Sequence, residues 1–253
     1  MSIYAVEFIK IINILRPQIR QKIDVLKLNF KSLKVSKKAD NTIVTDFDIF
    51  ISDLFKAELK LKFPEINFYS EEDQGVFDFP ICIIDPIDGT REFAKGINEC
   101  AVSVGLYFSD QIDDERNVSW IYNPFTEFEV SSVDELPICN IPSDKIKAFV
   151  SNTEYESGMH LSHDNISYTA KGSIAFKLGL LATNGCDFVI TKKDKNIWDI
   201  LAGTHICLKN GIRLYHHEKV ISNISEELYK APLVWVSDEI RSNVDFKYEI
   251  SKK

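Results

Sequence analysis

The stretch ICIIDPIDGT, residues 81 to 90, decides how the rest of the chain is read. A run of branched apolar residues delivers two carboxylates three apart, Asp85 and Asp88, with Pro86 between them. Gly89 and Thr90 follow at once. The apolar run predicts a buried strand. The Gly-Thr pair predicts a turn into a helix, whose free N–H groups and positive dipole end suit an anion. A strand that ends in two acids and a glycine needs a chemical reason, because two buried like charges repel each other.

Working outward, the 253-residue chain has room for one large domain or two intimate halves. At 45% hydrophobic and 27% charged residues it has the composition of a soluble globular protein, not of a disordered one. The formal net charge of −8 argues against binding a nucleic-acid polymer through a general field. A small phosphorylated ligand stays open, because a bound cation reverses the local sign. The cysteines at 82, 100, 139, 186 and 207 are scattered and contain no C-x-x-C pair, so they read as reduced, mostly buried thiols. The N-terminus MSIYAVEFIKIINILRPQIRQ mixes charges into an apolar pattern and reads as an amphipathic helix, not a signal peptide. No apolar run is long enough to predict a membrane span. Cytoplasmic location is the default.

Residues 3 to 33 are expected to be helical, with a break at Pro17. A second helix is expected over 47 to 61, from the spacing of Phe47, Phe50, Leu54 and Leu61. Strands follow at NFYS, ICIID, AVSVGLYF, VSWIYNP and FEVSS, and the acidic tract SDQIDDERN reads as a solvated hairpin loop. After residue 140 strands and helices alternate: AFVS, a strand running into KGS, a helix 174–184, CDFVIT, a helix 197–209 with Gly211 as its C-terminal cap, and APLVWVS. His216 and His217 fall in a predicted strand with side chains on opposite faces, and are poor joint ligands. Two fused halves are expected, 1–140 and 141–253, with a seam near residues 136 to 147.

Other acids accompany the central pair. YSEED carries Glu71 and Glu72 at the end of a predicted strand, and NIWDILAG puts Asp199 in the first turn of a helix. VTDFD places Asp46 and Asp48 at a helix start. Taken singly, an acid at such a position is commonly a solvated residue or a helix cap. Brought to one site, the acids would require cations, and hard oxygen donors with no Cys or His partner favour Mg²⁺ over zinc. Asp85, Asp88 and the Ile87 carbonyl would then form a cradle for Mg²⁺ and phosphate.

The blocks KADNTIVTDFD (38–48), YSEED (69–73), DPIDGTREF (85–93), GSIAFKLGLLATNGCDFVI (172–190) and NIWDILAG (196–203) resemble, in order and spacing, the inositol monophosphatase-like family of Mg²⁺-dependent, lithium-sensitive phosphatases. The resemblance implies an α/β (α+β) fold, a five-layer α-β-α-β-α sandwich, and two or three Mg²⁺ ions with Li⁺ inhibitory. By position, Glu71, Asp85, the Ile87 carbonyl, Asp88 and Asp199 correspond to the metal shell. Asp48 and Thr90 match the pair that positions and deprotonates the attacking water, with Glu71 beside them as a catalytic residue. Gly89 and Thr90 N–H groups correspond to the phosphate holders. The implied reaction is in-line attack of an activated water on a phosphomonoester, one cation lowering the water's pKa and a second stabilising the leaving alkoxide. No phosphoenzyme and no histidine takes part. The expected partner is a small phosphorylated metabolite, and a homodimer is left open.

Within the family, Arg91-Glu92-Phe93 is similar to the K-E-F of the 3'(2'),5'-bisphosphate nucleotidase branch, where the inositol branch reads T-N-F. SKKADNTIVT and NIWD read the same way, and Lys177 matches a lysine of the nucleotidase branch. Inositol-type enzymes carry an acid seven residues before the W-D aspartate, and that position is Lys192 here. Ser173, Lys177 and Lys192 therefore join Gly89 and Thr90 as expected substrate contacts, and Lys192, Lys193 and Lys195 either meet a second phosphate or form a solvated loop. Two departures bear on specificity: the glycine-rich segment of the family after Asn123-Pro124 is missing, and the C-terminal end is short. The leading expectation is removal of the 3'-phosphate of adenosine 3',5'-bisphosphate to leave AMP. The alternatives are an inositol or other small sugar phosphate, and a catalytically silent protein that binds a phosphorylated metabolite.

Overall fold

The computed structural model describes residues 1–37, 43–137, 145–158 and 165–244. Its first layer is a helix pair, α1 (Ile3–Leu28) and α2 (Asp46–Lys62), entered through a small ribbon of β1 (Val35–Lys37) and β2 (Ile43–Thr45). Helix α1 runs through Pro17 without the expected break. Pro17 and Asn13, whose carbonyl loses its partner, both face solvent, so water can satisfy what proline removes.

Beneath this pair lies a five-stranded sheet in the order β3-β4-β5-β6-β7, formed by Asn67–Ser70, Ile81–Asp88, Ala101–Tyr107, Val118–Tyr122 and Glu129–Ser131. The second sheet has the order β12-β11-β13-β10-β8-β9. Its strands are β8 (Ile146–Val150), β9 (Ile166–Ala170), β10 (Phe188–Thr191), β11 (Ile212–His216), β12 (Lys219–Val220) and β13 (Leu233–Ser237). Helices α5 (Ile174–Ala182) and α6 (Ile197–Lys209) fill the space between the sheets. The short helices are α3 (Thr90–Ala94), α4 (Asn152–Glu156) and α7 (Asp238–Arg241). Ile240 of α7 packs on the outer face of the second sheet, so the fifth layer is present but thin.

The strands show why this sequence makes layers. In β4, Ile81 and Ile83 pack toward α5 and α6, while Cys82 and Ile84 pack toward α1 and α2. In β13, Leu233 and Trp235 face the central helices, and Val234 and Val236 face the outer layer. Each strand buries both faces, which explains unbroken apolar runs where a half-exposed strand would alternate. Helices α5 and α6 approach closely at Gly203, where an added Cβ would lie 2.5 Å from that of Leu178.

The acidic tract differs from its expectation. Ile112 within it is buried, 2% exposed, and the loop is strapped to a segment after β12. Ile112 N donates to Ser222 O at 3.0 Å and Ile224 N to Asp110 O at 2.6 Å. One apolar residue among acids suffices to dock the loop. His217 likewise lies in a turn at φ 54°, just past β11, and its ring sits 4.5 Å from that of His216. Cys82, Cys100, Cys186 and Cys207 are buried free thiols. Cys139 and most of the expected seam lie outside the described residues.

Candidate active site

The carboxyl end of β4 builds the site, and a bulge makes it possible. In a regular strand, residues three apart point to opposite faces. The pairing of β4 with β5 shifts register between Asp85, opposite Ser103, and Asp88, opposite Ala101. The extra residue resets the alternation. Ile84 and Ile87 therefore both pack toward α1 and α2, while Asp85 and Asp88 turn together toward the central layer.

Helix α6 delivers the third acid. Asp199 stands at its third residue, and its Oδ2 accepts from the Asn196 N–H at 3.0 Å. The preceding Trp198 fastens this helix start to the first sheet: its carbonyl accepts from Ser103 Oγ at 3.3 Å, and its ring lies 5.6 Å from that of Tyr69. Asp85, Asp88 and Asp199 each offer an oxygen within 4.8 Å of the others. Asp88 Oδ2 also anchors α5, accepting from Ser173 Oγ at 2.5 Å and Ala175 N at 2.6 Å.

Asp48 is the third residue of α2 and closes a capping box with Thr45. Its Oδ2 accepts from the Thr45 N–H at 2.8 Å and from the Thr45 hydroxyl, while Oδ1 is buried without a hydrogen-bond partner. Asp85 Oδ1 is in the same condition. Burial, then repulsion from Glu71, Asp88, Asp199 and Asp48, drives the Asp85 carboxyl well above its ordinary range. Burial and the charge of Asp88 do the same to Asp199. Asp48 is pushed up to about 7, chiefly by burial, against its bonds to Thr45. Acids that burial and crowding force toward protonation, with inward oxygens left bare, are the environment a divalent cation stabilises. All the donors are hard oxygens, which fits Mg²⁺.

A cavity of about 340 Å³ opens over the cluster. Glu71, Asp85, Ile87, Asp88, Gly89, Thr90 and Asp199 line it, so most of the expected site residues share one cavity. The Thr90 hydroxyl donates to the Ile87 carbonyl at 2.9 Å. Gly89 has φ 86°, and a Cβ there would meet the Glu99 carbonyl at 2.8 Å, so only glycine makes this turn without strain. Ser151, Asn152, Thr153, Gly172, Lys193 and Lys195 border the same cavity, together with Arg91 and Glu92.

Other expected contacts sit elsewhere. Asp48 lies outside the cavity lining, as do Ser173, Lys177 and Lys192. Ser173 supports Asp88 and caps α5. The Lys177 side chain is 2% exposed, and its Nζ donates to the carbonyls of Lys171 at 2.9 Å and Gly172 at 3.4 Å. Burial lowers its pKa to about 8. Lys192 is fixed through its backbone, and Lys193 and Lys195 reach the cavity in its place. Ser151, Asn152 and Thr153 were not apparent from residue chemistry. The S-x-x-E spacing of Ser151 and Glu154, a capping-box signature, is the signal that marks them.

The sequence model of the inositol monophosphatase family matches residues 8–218. The chain belongs to that family. Family membership supports phosphomonoester hydrolysis, and the three-carboxylate cluster is its candidate metal centre. Among curated relatives, the 3'(2'),5'-bisphosphate nucleotidase CysQ of Buchnera aphidicola is 39% identical over 83 residues, which is 30% of this chain and 31% of that one. CysQ of Haemophilus influenzae is 24% identical over 235 residues, 83% of this chain and 86% of its own. An inositol monophosphatase of Mesembryanthemum crystallinum is 27% identical over 217 residues, covering 74% and 78%. Among solved structures, the extragenic suppressor protein suhB of Bartonella henselae superposes with a TM-score of 0.73 at 19% identity, covering 93% of this chain and 95% of that one. That likeness shows the shared fold. No helix among the described residues is long and apolar enough to cross a membrane.

Proposed function

We propose that this inositol monophosphatase family member is a Mg²⁺-dependent phosphomonoesterase that removes the 3'-phosphate of adenosine 3',5'-bisphosphate to give AMP and phosphate. The observation that carries this reading is that one cavity is lined both by the acid cluster and by two lysines. Asp85, Asp88, Asp199 and Glu71 line it, and so do Lys193 and Lys195. A substrate with one phosphate needs only the acid cluster. A substrate with two uses both, its second phosphate meeting lysines as point charges. The match to two CysQ proteins points the same way.

Asp85, Asp88, Asp199, Glu71 and the Ile87 carbonyl would hold Mg²⁺, which when bound supplies Lewis-acid stabilisation of the charge that develops as the ester bond breaks. The Gly89 turn presents its own and the Thr90 N–H toward the phosphate. The Thr90 hydroxyl commits its proton to the Ile87 carbonyl, so its oxygen is left to accept from the attacking water. Glu71 lines the cavity and is placed to take the water's proton, and Asp48, behind the lining with Oδ1 bare and its pKa raised to about 7, would share that proton. The water oxygen bonds to phosphorus, the bond from phosphorus to the 3'-oxygen breaks, and that oxygen takes up a proton from solvent as it leaves.

The test is phosphate release from adenosine 3',5'-bisphosphate and from inositol 1-phosphate, side by side, in Mg²⁺ and in EDTA. We expect Mg²⁺-dependent release with a preference for the nucleotide of about a hundredfold, the scale of losing a charged contact. Lithium added to the same assay should inhibit. A preference for inositol phosphate would support the second reading, which the Mesembryanthemum relative favours. No release from either would leave the remaining alternative, a silent phosphometabolite-binding protein.

A further inference from the structure

Glu154 is a buried carboxylate that hydrolysis itself does not use. It is 2% exposed, on the short helix α4, yet its two oxygens hold two different segments, one lining the cavity and one leading into the lysine loop. Oε2 accepts from the Ser151 N–H at 3.0 Å and the Ser151 hydroxyl at 2.8 Å, fixing the Ser151–Thr153 segment. Oε1 accepts from the Lys192 N–H at 2.6 Å and the Thr191 hydroxyl at 3.0 Å, fixing the end of β10. The connection continues: Thr191 Oγ1 accepts from the Lys193 N–H at 3.2 Å. One carboxylate thus ties the start of α4 to the loop that carries Lys193 and Lys195.

Topology explains the placement. Strands β8 and β10 are parallel neighbours, so the segments after them emerge side by side at the carboxyl ends of these two strands. Two adjacent loop starts there expose N–H groups with no ladder partner, and a buried acid between them satisfies both. Four hydrogen bonds also keep the acid charged: burial works to raise its carboxyl, and the donors at Ser151, Lys192 and Thr191 outweigh it. The far side of the lysine loop is held separately, Lys195 exchanging backbone bonds with Tyr229 at 3.0 and 2.8 Å. Asp194 accepts from Ala231 N at 2.8 Å. The loop is therefore clamped from both sides, and its Lys193 and Lys195 line the cavity.

Resting on the bisphosphate reading above, we infer that Glu154 is a positioning residue for substrate selection: through Thr191 and Lys192 it sets the Lys193 and Lys195 ammonium groups to receive the second phosphate, and it takes no part in breaking the ester. On that reading the hydrolysed phosphate sits at the acid cluster, whereas the hydrogen bonds of Glu154 go to Ser151, Thr191 and Lys192. Its loss should therefore change which substrate is preferred while the chemistry proceeds.

The experiment compares adenosine 3',5'-bisphosphate with adenosine 3'-monophosphate, which lacks only the second phosphate, in the wild type, Glu154→Gln, Lys193→Ala and the double variant. Glu154→Gln keeps the shape but turns one acceptor oxygen into a donor facing other donors. We expect its kcat/KM ratio between the two substrates to fall by about tenfold, through a raised KM for the bisphosphate, as a displaced positioning contact does. Its kcat/KM for the monophosphate should stay within about twofold, since a supporting residue off the reacting atoms moves uniform binding little. In the Lys193→Ala background, adding Glu154→Gln should lower the ratio less than it does alone, the signature of a shared contact. Equilibrium binding of AMP, which keeps the phosphate in question, should weaken by the same factor with no turnover involved. An equal loss on both substrates, or an unchanged ratio, overturns the inference. If Lys193→Ala lowers the ratio while Glu154→Gln does not, the bisphosphate reading stands and only the role of Glu154 fails. A wild type that does not distinguish the substrates removes both. Should Glu154→Gln not fold, Thr191→Val breaks the same relay at its second step and must show the same selective loss.

Discussion

At the scale of single residues, the site is built from acids that each do two jobs. Asp48, Asp199 and Glu154 are all third residues of helices, and each accepts from the backbone N–H three residues earlier. Capping and function are not competing explanations here, because a carboxylate has two oxygens. One oxygen ends the helix, which fixes the rotamer, and the other is aimed by that constraint. Asp88 shows the same economy, anchoring α5 through Oδ2 while standing in the cluster. This makes Asp88→Asn a sharp variant. Two donors demand that the amide oxygen face α5, so the NH₂ group is turned into the cluster, where a cation is expected. Turnover should fall by about a thousandfold or more, with the unfolding midpoint in EDTA kept or raised because one repelling charge is gone. Near-normal turnover would remove Asp88 from the site. The crowding of the acids leads to a second expectation. With burial and mutual repulsion favouring their protonated forms, Mg²⁺ must expel protons as it binds. Calorimetry in two buffers of different ionisation enthalpy counts those protons, and a count of zero would mean that the cluster is fully ionised before the metal arrives.

At the scale of elements, α6 is the member on which both sheets depend. Its start presents Asp199 to β4, and its body is buried on all sides, so even its polar residues must find partners inside. Thr204 accepts from the Trp235 indole N–H at 2.8 Å, and His205 Nδ1 lies 2.9 Å from Ser119 Oγ, which in turn meets the Tyr107 hydroxyl at 2.9 Å. His205 Nε2 has no hydrogen-bond partner, and burial depresses the imidazole pKa to about 3. The consequence for stability has a definite sign. In the unfolded chain the histidine takes up its proton as pH falls through about 6.5, while the folded protein does not until about 3. The unfolded state therefore gains on the folded one across that window, by up to about 1.4 kcal/mol per pH unit. Above pH 6.5 the residue contributes no slope. Urea unfolding of the wild type and of His205→Asn between pH 7 and pH 4 separates this effect from that of the acids, which both proteins share. The stability difference between them should shrink or reverse as pH falls, and a constant difference would mean the ring is not buried neutral.

At the scale of the whole molecule, the two sheets are joined by more than the central helices. The loop between β5 and β6 crosses to the second sheet and seats Ile112 against a small cavity of about 190 Å³ bordered by Leu208, Ile212 and Ile221. Asn117 secures the loop from within, its Nδ2 donating to the Gln111 carbonyl at 2.9 Å. Ile112→Ala should cost about 3 kcal/mol, read as a lowered urea midpoint, because the space it leaves adjoins one already there and cannot collapse. Activity at low temperature should be kept, since the strap lies at the α6 end remote from Asp199. A cost under about 0.5 kcal/mol, the level of an ordinary surface change, would show the loop to be the solvated hairpin that its acidity suggests.

What the sequence determined by itself follows from short-range physics. Apolar runs of strand length, the spacing of the α2 and α6 apolar positions, and strand-end acids beside glycine are local signals. They locate most elements within a few residues, with α6 at 197–209 as expected, and they identify the acids that meet at the cavity. What only the tertiary structure decided depends on which loops become neighbours. Asp85 and Asp88 face the same way because of a bulge defined by the partner strand, not by their own spacing. Lys177 looked like a substrate contact by its place in the chain, but helix α5 turns it into the protein, where backbone carbonyls receive it. Lys193 and Lys195, and not Lys192, reach the cavity because Glu154, distant in sequence, holds the backbone between them and β10. Side-chain direction at such a loop is set by hydrogen bonds from another strand's end, and no local pattern in the chain encodes that partner.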